Sequence, residues 1–355
     1  MKRGACVEID LNAITHNLSV VRQFSTKANI LAVIKANAYG HGMLAVARHL
    51  NDKVDGIAVA CVEEAVTLRE SAIQSDIVIL QGFHNQAQLD QCLKLDLQPV
   101  CHQKWQIDLL IEARSEAQLK VWLKVDTGMH RLGIPPEETE SEYKRLNTSG
   151  NVRSVCLMSH FANADEKNNI SNTRQIHEFE QCSSVLAAEA SLANSAAILS
   201  LPHSIKDWVR PGIMLYGVSP FVDKDSSDFE LKPVMKLSSH VIAITQLVAG
   251  QSIGYGSTWT CNRDSQIAVV GIGYGDGYPR HAKNGTPVII NGQRCPLAGR
   301  VSMDMITVDI TDLAGSVTIG DEVTLWGQGL PVEEIAKQSS TIAYELLCNI
   351  GKDIK

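Results

Sequence analysis

Ile30-Leu31-Ala32-Val33-Ile34-Lys35-Ala36-Asn37-Ala38-Tyr39-Gly40-His41-Gly42 puts one lysine at the end of a five-residue apolar run and follows it with small residues and glycines. A short apolar run bounded by glycine reads as a strand buried on both faces, which is the kind found in parallel sheets. A lysine at its end meets the interior. Burial disfavours the ammonium form, and a neutral amine is what forms a Schiff base with an aldehyde, so Lys35 is a candidate covalent anchor. The local pattern equally fits a strand-end lysine that carries its charge out to water. The rest of the chain decides between them.

Outward from this run, short apolar stretches alternate with longer amphipathic ones as far as Gly217. The strand candidates are Leu31–Lys35, Gly56–Ala60, Ile77–Leu80, Gln98–Cys101, Val121–Val125, Val155–Ser159, Leu192–Ser195 and Trp208–Tyr216. Helix-like segments fall between them at Val62–Glu70, Asn85–Leu95, Lys104–Ala113 and Thr173–Ala190. This repetition predicts an α/β fold, a (β/α)8 TIM-type barrel in preference to an open doubly wound sheet. Barrel chemistry gathers at the C-terminal ends of strands, and five of the expected strands place a polar group there or nearby. These are Lys35, Lys124, His160, Asn194-Ser195 and Arg210. Taken singly, His160 also reads as a satisfied core histidine and Ser195 as a helix cap.

After the polar stretch Asp223–Asp228 the pattern changes to closely spaced strands with Gly, Asn and Pro turns. Ser239–Leu247, Ile267–Gly271, Pro287–Ile290 before Asn291-Gly292, Met305–Ile310 and Glu322–Trp326 predict a mostly-β domain. The expected division is a barrel over 1–230 and a β domain over 231–355. With 355 residues and 45% apolar content the chain is long enough for two such domains.

Composition narrows the partners. A net charge of -7 and no extended Lys/Arg run argue against nucleic acid and anionic membrane surfaces, leaving a small molecule as the expected ligand. The nine cysteines are scattered without a Cys-x-x-Cys pair, so they read as reduced residues and not as a disulfide or zinc framework. Lys2 and Arg3 are followed by Glu8 and Asp10, which interrupt any signal-peptide core, and no apolar run approaches membrane-spanning length. A cytoplasmic enzyme without a metal is expected.

Several segments carry more specific chemistry. Lys124-Val125-Asp126-Thr127-Gly128-Met129-His130-Arg131-Leu132-Gly133 sets a lysine and an arginine seven residues apart across a turn. Val209-Arg210-Pro211-Gly212-Ile213 places a guanidinium beside exposed backbone N–H groups. Gly254-Tyr255-Gly256-Ser257-Thr258-Trp259 isolates one phenol between glycines, and Ala298–Met305 supplies a tight turn. Gly271-Ile272-Gly273-Tyr274-Gly275 has the wrong glycine spacing for a dinucleotide fingerprint.

Together with the Lys35 run, and in this order from about Val7 to Asn349, these motifs resemble the alanine racemases, pyridoxal-phosphate enzymes with an eight-stranded barrel and a C-terminal β domain. The resemblance implies an isomerase that interconverts L- and D-alanine and supplies D-alanine for the bacterial cell wall. It implies that Lys35 carries pyridoxal 5'-phosphate as a Schiff base. Tyr39, Ser195, Tyr344 and the backbone at Gly212 and Ile213 would bind the phosphate, and Arg210, with His160 behind it, would face the pyridine nitrogen. It implies a pair of bases, Lys35 and Tyr255, on opposite faces of the substrate, with Arg131 lowering the pKa of Tyr255. Arg131 and the Met303 N–H would hold the substrate carboxylate, and Lys124 would be open to carbamylation. It further implies a homodimer with shared active sites, Tyr255 arriving from the partner subunit. Rival readings are a broader racemase of serine or basic amino acids, a basic amino-acid decarboxylase, and a non-catalytic pyridoxal-phosphate carrier. Arg210 argues against the decarboxylases, which keep an acid at the ring nitrogen, and the β domain with Tyr255 argues against the carrier.

Overall fold

Burial on both faces, the feature that singled out the Ile30 run, recurs strand after strand in the computed structural model, which describes residues 4–313 and 315–350. Gly56–Val59 and Gln98–Cys101 are buried at every position, as strands covered by helices outside and packed side chains inside must be. Eight strands close into a parallel barrel: Asn29–Val33, Gly56–Val59, Asp76–Ile79, Gln98–Cys101, Leu119–Lys124, Val152–Met158, Glu189–Asn194 and Trp208–Arg210. The last returns to the first through Asn29 opposite Trp208 and Ile30 opposite Val209. Helices Val62–Glu70, Gln86–Leu95, Lys104–Glu112, Thr139–Asn147 and Ile170–Ser183 lie among the crossovers. The eighth strand stops at Arg210 because Pro211 has no N–H to continue the ladder, and Ile213–Tyr216 turns as a 3-10 helix in place of the expected strand extension.

The second half is an antiparallel sheet. Its path runs Gln293–Pro296, Pro287–Ile290, Glu322–Trp326, Met235–Leu247, Ser265–Val270 and Ile306–Asp309. Asn291 and Gly292 both adopt positive φ, 50° and 76°, which is what a two-residue hairpin turn between Ile290 and Gln293 requires. One strand crosses the division expected at residue 230. Cys6–Ile9 pairs antiparallel with Met235–Ser238, so residues near the start of the chain extend the sheet of its second half. Lys2, Arg3 and the outer ends of both expected domains lie outside the described residues.

The joint between the halves is hydrogen-bonded as well as packed. Asn17, on helix Leu11–Phe24, is fully buried and donates to the carbonyls of Leu215 (3.0 Å) and Lys232 (2.9 Å) while accepting the Lys232 N–H at 2.8 Å. Truncating it would strand three backbone groups at about 1–3 kcal/mol each, a large share of a domain's net stability. No helix among the described residues is long and apolar enough to cross a membrane.

Candidate active site

Lys35 lies just past the first barrel strand, where the chain leaves the sheet in an unusual way. Ala36, Asn37, Ala38 and Tyr39 all have φ of 53–54°, forming one turn of left-handed helix that ends at Gly40. Each non-glycine residue in that region costs roughly 1–2 kcal/mol, so the turn persists only because its surroundings hold it. Asn37 Oδ1 accepts the Met43 N–H at 2.9 Å, and the buried His41 donates from Nδ1 to the carbonyls of Ala38 and Tyr39, both at 2.9 Å. Burial drops His41 to about 4, so it is neutral and fit for this role at ordinary pH. The turn sends the half-buried Lys35 and the buried Tyr39 into one cavity of about 490 Å³ at the C-terminal mouth of the barrel. Burial, followed by the charge of Arg131, holds the Lys35 amine below its ordinary pKa. The alternative of a solvated strand-end charge does not describe this lysine.

Ser195 opens the short helix Ser195–Ser200, but the cap belongs to Asn194, whose Oδ1 accepts the Ala197 N–H at 3.0 Å. Ser195 Oγ instead accepts the Gly212 N–H at 2.8 Å, which leaves its own O–H to donate elsewhere. The adjacent Ile213 N–H has no hydrogen-bond partner among the described residues. A Cβ at Gly212 would lie 2.7 Å from the Tyr39 hydroxyl, so glycine keeps a hollow open there. Tyr344 closes the same wall, its ring 5.9 Å from that of Tyr39, and burial raises both phenols so that they remain donors. Hydroxyls and a free N–H around a glycine-made hollow suit a phosphate.

Deeper in, Arg210 is 4% exposed and donates to Ser191 Oγ (2.6 Å), Ser159 O (2.6 Å) and Leu192 O (3.2 Å). Burial lowers it only to about 10, so it stays cationic at neutral pH. Its Nη2 also meets His160 Nδ1 at 3.2 Å. Arginine can only donate, so that nitrogen carries the lone pair and the imidazole proton sits on Nε2. Burial and then the charge of Arg210 hold His160 well below its ordinary pKa, which keeps it neutral. Lys124, at the end of the fifth strand, is lowered to about 7 by burial and then by Arg210, Arg131 and Lys35.

Arg131 reaches the cavity because Asp126 folds the loop between them. Asp126 Oδ1 accepts the N–H groups of Gly128, Met129 and His130 at 3.0–3.1 Å, and Gly133 sits where a Cβ would come within 2.5 Å of the Asp126 nitrogen. The cavity therefore gathers Lys35, Lys124, Arg131 and Arg210, and none of the described residues that line it is acidic. Such a field selects an anion.

Ten of the expected site residues line this cavity: Lys35, Tyr39, Lys124, Arg131, His160, Ser195, Arg210, Gly212, Ile213 and Tyr344. Tyr255 and Met303 do not. Tyr255 is at the tip of the hairpin formed by Ser252–Ile253 and Trp259–Thr260, 68% exposed, with Gly254 and Gly256 at φ of 73° and 71°. Met303 is 53% exposed. The walls also contain Asn194, expected beside Ser195 at its strand end, and Leu80, Gln81, Leu132, Met158 and Cys348, which sequence reasoning did not single out. Cys348 could have been found, since it lies four residues after Tyr344 on helix Ala343–Asn349 and so shares its face.

The donor set fits pyridoxal phosphate: an amine of lowered pKa, a glycine-made hollow with hydroxyl donors, and a buried permanent cation. Comparisons with known proteins agree. The alanine racemase N-terminal domain model matches residues 9–220 and the C-terminal domain model residues 234–355. An alanine racemase of Thioalkalivibrio sulfidiphilus is 50% identical over 353 residues, 99% of this chain and 98% of the relative. The biosynthetic alanine racemase of Pseudomonas aeruginosa superposes with a TM-score of 0.96 at 41% identity, covering 100% of this chain and 98% of that one. An alanine racemase of Bartonella henselae, solved with covalently bound pyridoxal phosphate, gives a TM-score of 0.89 at 32% identity over 99% of this chain and 98% of its own. With both family domains matched in order and half of all positions identical to a full-length relative, the chain belongs to the alanine racemase family.

Proposed function

We propose that this chain interconverts L- and D-alanine with pyridoxal phosphate held on Lys35, as a cytoplasmic source of D-alanine for peptidoglycan. The observation that carries this is a half-buried lysine of lowered pKa facing an anion-selecting cavity at a barrel mouth. Bound there, the cofactor supplies an aldehyde for the Schiff base and a conjugated ring that draws electron density from the substrate's α-carbon. Tyr39, Ser195, Tyr344 and the free Ile213 N–H would hold its phosphate, with Gly212, whose own N–H is bonded to Ser195 Oγ, keeping the hollow open. Arg210 would donate to the ring nitrogen and, having no proton to release near neutral pH, would leave that nitrogen unprotonated, a setting that favours prompt return of the substrate's proton. Neutral His160 accepts from Arg210 and fixes its orientation.

Racemisation needs a base on each face of the α-carbon. Lys35 serves one face, and Tyr255 the other. Tyr255 lies outside its own chain's cavity lining, which supports its delivery by a second copy of the chain. The loop its hairpin rests on supports the same reading: Gly254 and Gly256 lie against Arg300, and the loop that follows exposes Met303 and Met305 (43%) and is tied to the exposed Tyr274 (40%) through the 274–275 N–H groups donating to the carbonyls of Ser302 and Met303. Exposed apolar clusters of this kind mark protein interfaces. Arg131 and the Met303 N–H, which is unpaired among the described residues, take the substrate carboxylate. Incubating the holoenzyme with single L-amino acids and resolving the products by chiral chromatography tests the reading. D-alanine should be the dominant product; preference for serine or a basic amino acid, or no D-isomer at all, overturns it.

Lys124 adds a pH-dependent element. Only the neutral amine reacts with carbon dioxide, and a pKa of about 7 leaves a large neutral fraction at pH 7–8. A carbamate there would replace a cation between Arg131 and Arg210 by an anion that can hold Arg131, an exposed residue without an ion-pair partner among the described residues. Native mass spectrometry in bicarbonate at about pH 8 should find one added carbon dioxide, localised to the Lys124 peptide and lost on acidification. Its absence in wild-type protein refutes the modification.

A further inference from the structure

We propose that Glu64 is a positioning residue for Lys35: its carboxylate ties the left-handed turn carrying the lysine to the end of the neighbouring barrel strand. The inference rests on the reading of Lys35 as the cofactor lysine. Glu64 is the third residue of helix Val62–Glu70, directly after the second strand. One carboxylate oxygen accepts the Ala60 N–H, at the entry to its own helix, and the other accepts the Ala36 N–H, both at 2.8 Å. Ala36 immediately follows Lys35 and is the first residue of the strained turn. The bonds from Asn37 and His41 are local, made within residues 37–43. Among the described hydrogen bonds of the turn, the one to Glu64 reaches a different strand–helix unit.

Two consequences follow from the geometry. The turn decides whether Lys35 Nζ and the Tyr39 hydroxyl face the same hollow, so loosening its first peptide group costs cofactor affinity. The carboxylate is also the acidic group acting on the Lys35 amine. The charges that bear on that amine include Arg131, Glu64, Cys348 and Arg210, and Lys124 interacts with it as well: the two arginines and any charge on Lys124 favour proton loss, whereas Glu64 and Cys348 oppose it. Removing the Glu64 charge should therefore shift proton loss from Lys35 to lower pH.

Competitive acetylation of the apo-protein across pH, read at the Lys35 peptide, follows that proton without cofactor or turnover. In Glu64→Gln the side-chain carbonyl can accept only one of the two N–H groups and the charge is gone. The labelling midpoint should move to lower pH, and the dissociation constant for pyridoxal phosphate should rise about tenfold, the loss of one charge-assisted hydrogen bond. Glu64→Asp keeps the charge on a shorter arm, so its midpoint should stay near wild type while affinity falls. That contrast separates positioning from bulk stability, which would lower the melting temperature of both variants without moving the midpoint in either. An unmoved midpoint in Glu64→Gln, or affinity within twofold of wild type, overturns the proposal. If wild-type Lys35 takes no pyridoxyl group on reduction, the functional reading fails instead, and the acetylation midpoint alone decides the role of Glu64.

Discussion

Replacing Lys35 with alanine should abolish covalent attachment of pyridoxal phosphate and reduce racemisation by at least about 10⁴-fold, because in the proposed function one change removes both the Schiff-base amine and a base. Borohydride reduction of wild-type holoenzyme followed by peptide mapping should find the pyridoxyl group on the Lys35 peptide; a label on any other lysine overturns the assignment. The variant should fold as well as its parent. Lys35 has a lowered pKa in the folded state, so the unfolded chain binds its proton more tightly. That difference weighs against folding below the ordinary lysine pKa, is fully present below the folded pKa, and fades as pH rises through that window. Alanine removes this penalty, so at neutral pH the apo-variant's midpoint in urea should equal or exceed that of apo wild type. A lower midpoint would mean that Lys35 contributes to the fold through contacts other than its charge.

Arg210 shows why much of this site is legible in the sequence. Its place at the end of a strand, next to proline and glycine, is local information, and strand-end residues of a barrel share one mouth by construction. The same holds for Lys35, Lys124, His160 and Ser195. Segments with a clean local signal fell where expected: Val62–Glu70, Gln98–Cys101, Pro287–Ile290 and Glu322–Trp326 match residue for residue. Other features depend on tertiary context. The expected helix Thr173–Ala190 ends at Ser183, and Glu189-Ala190, which look helical in isolation, already belong to the seventh strand. Helices Leu11–Phe24, Met43–Leu50 and Thr139–Asn147 were not anticipated. The left-handed turn at Ala36–Tyr39 was invisible because nothing intrinsic to Ala, Ala and Tyr favours it; the bonds from Glu64 and His41 and the close packing of Gly40 on Leu347 hold it. Strand Cys6–Ile9 was missed for a similar reason, since its partner lies more than two hundred residues away.

Tyr255→Phe should remove α-proton exchange from L-alanine by about 10²–10⁴-fold, the usual contribution of a general base, and exchange from D-alanine far less. Measured as deuterium wash-in from heavy water for each enantiomer separately, the asymmetry assigns Tyr255 to one face and Lys35 to the other. Equal losses for both enantiomers would remove that assignment. The substitution is mild for the fold, since the ring is exposed and its hydroxyl makes no hydrogen bond among the described residues. The proposed sharing of sites between subunits has its own consequence. Lys35→Ala and Tyr255→Phe are each expected to be inactive in racemisation, but a mixed dimer has one site that receives an intact Lys35 from one chain and an intact Tyr255 from the other. Mild unfolding and re-pairing of the two variants should recover activity up to about half that of a wild-type dimer, if the two sites turn over independently. The hairpin geometry requires this outcome if Tyr255 works in trans, because its own chain's cavity is lined without it. If native mass spectrometry shows mixed dimers and activity stays at the level of the single variants, both bases belong to one chain's site, and the hairpin carrying Tyr255 must then fold back onto its own barrel mouth.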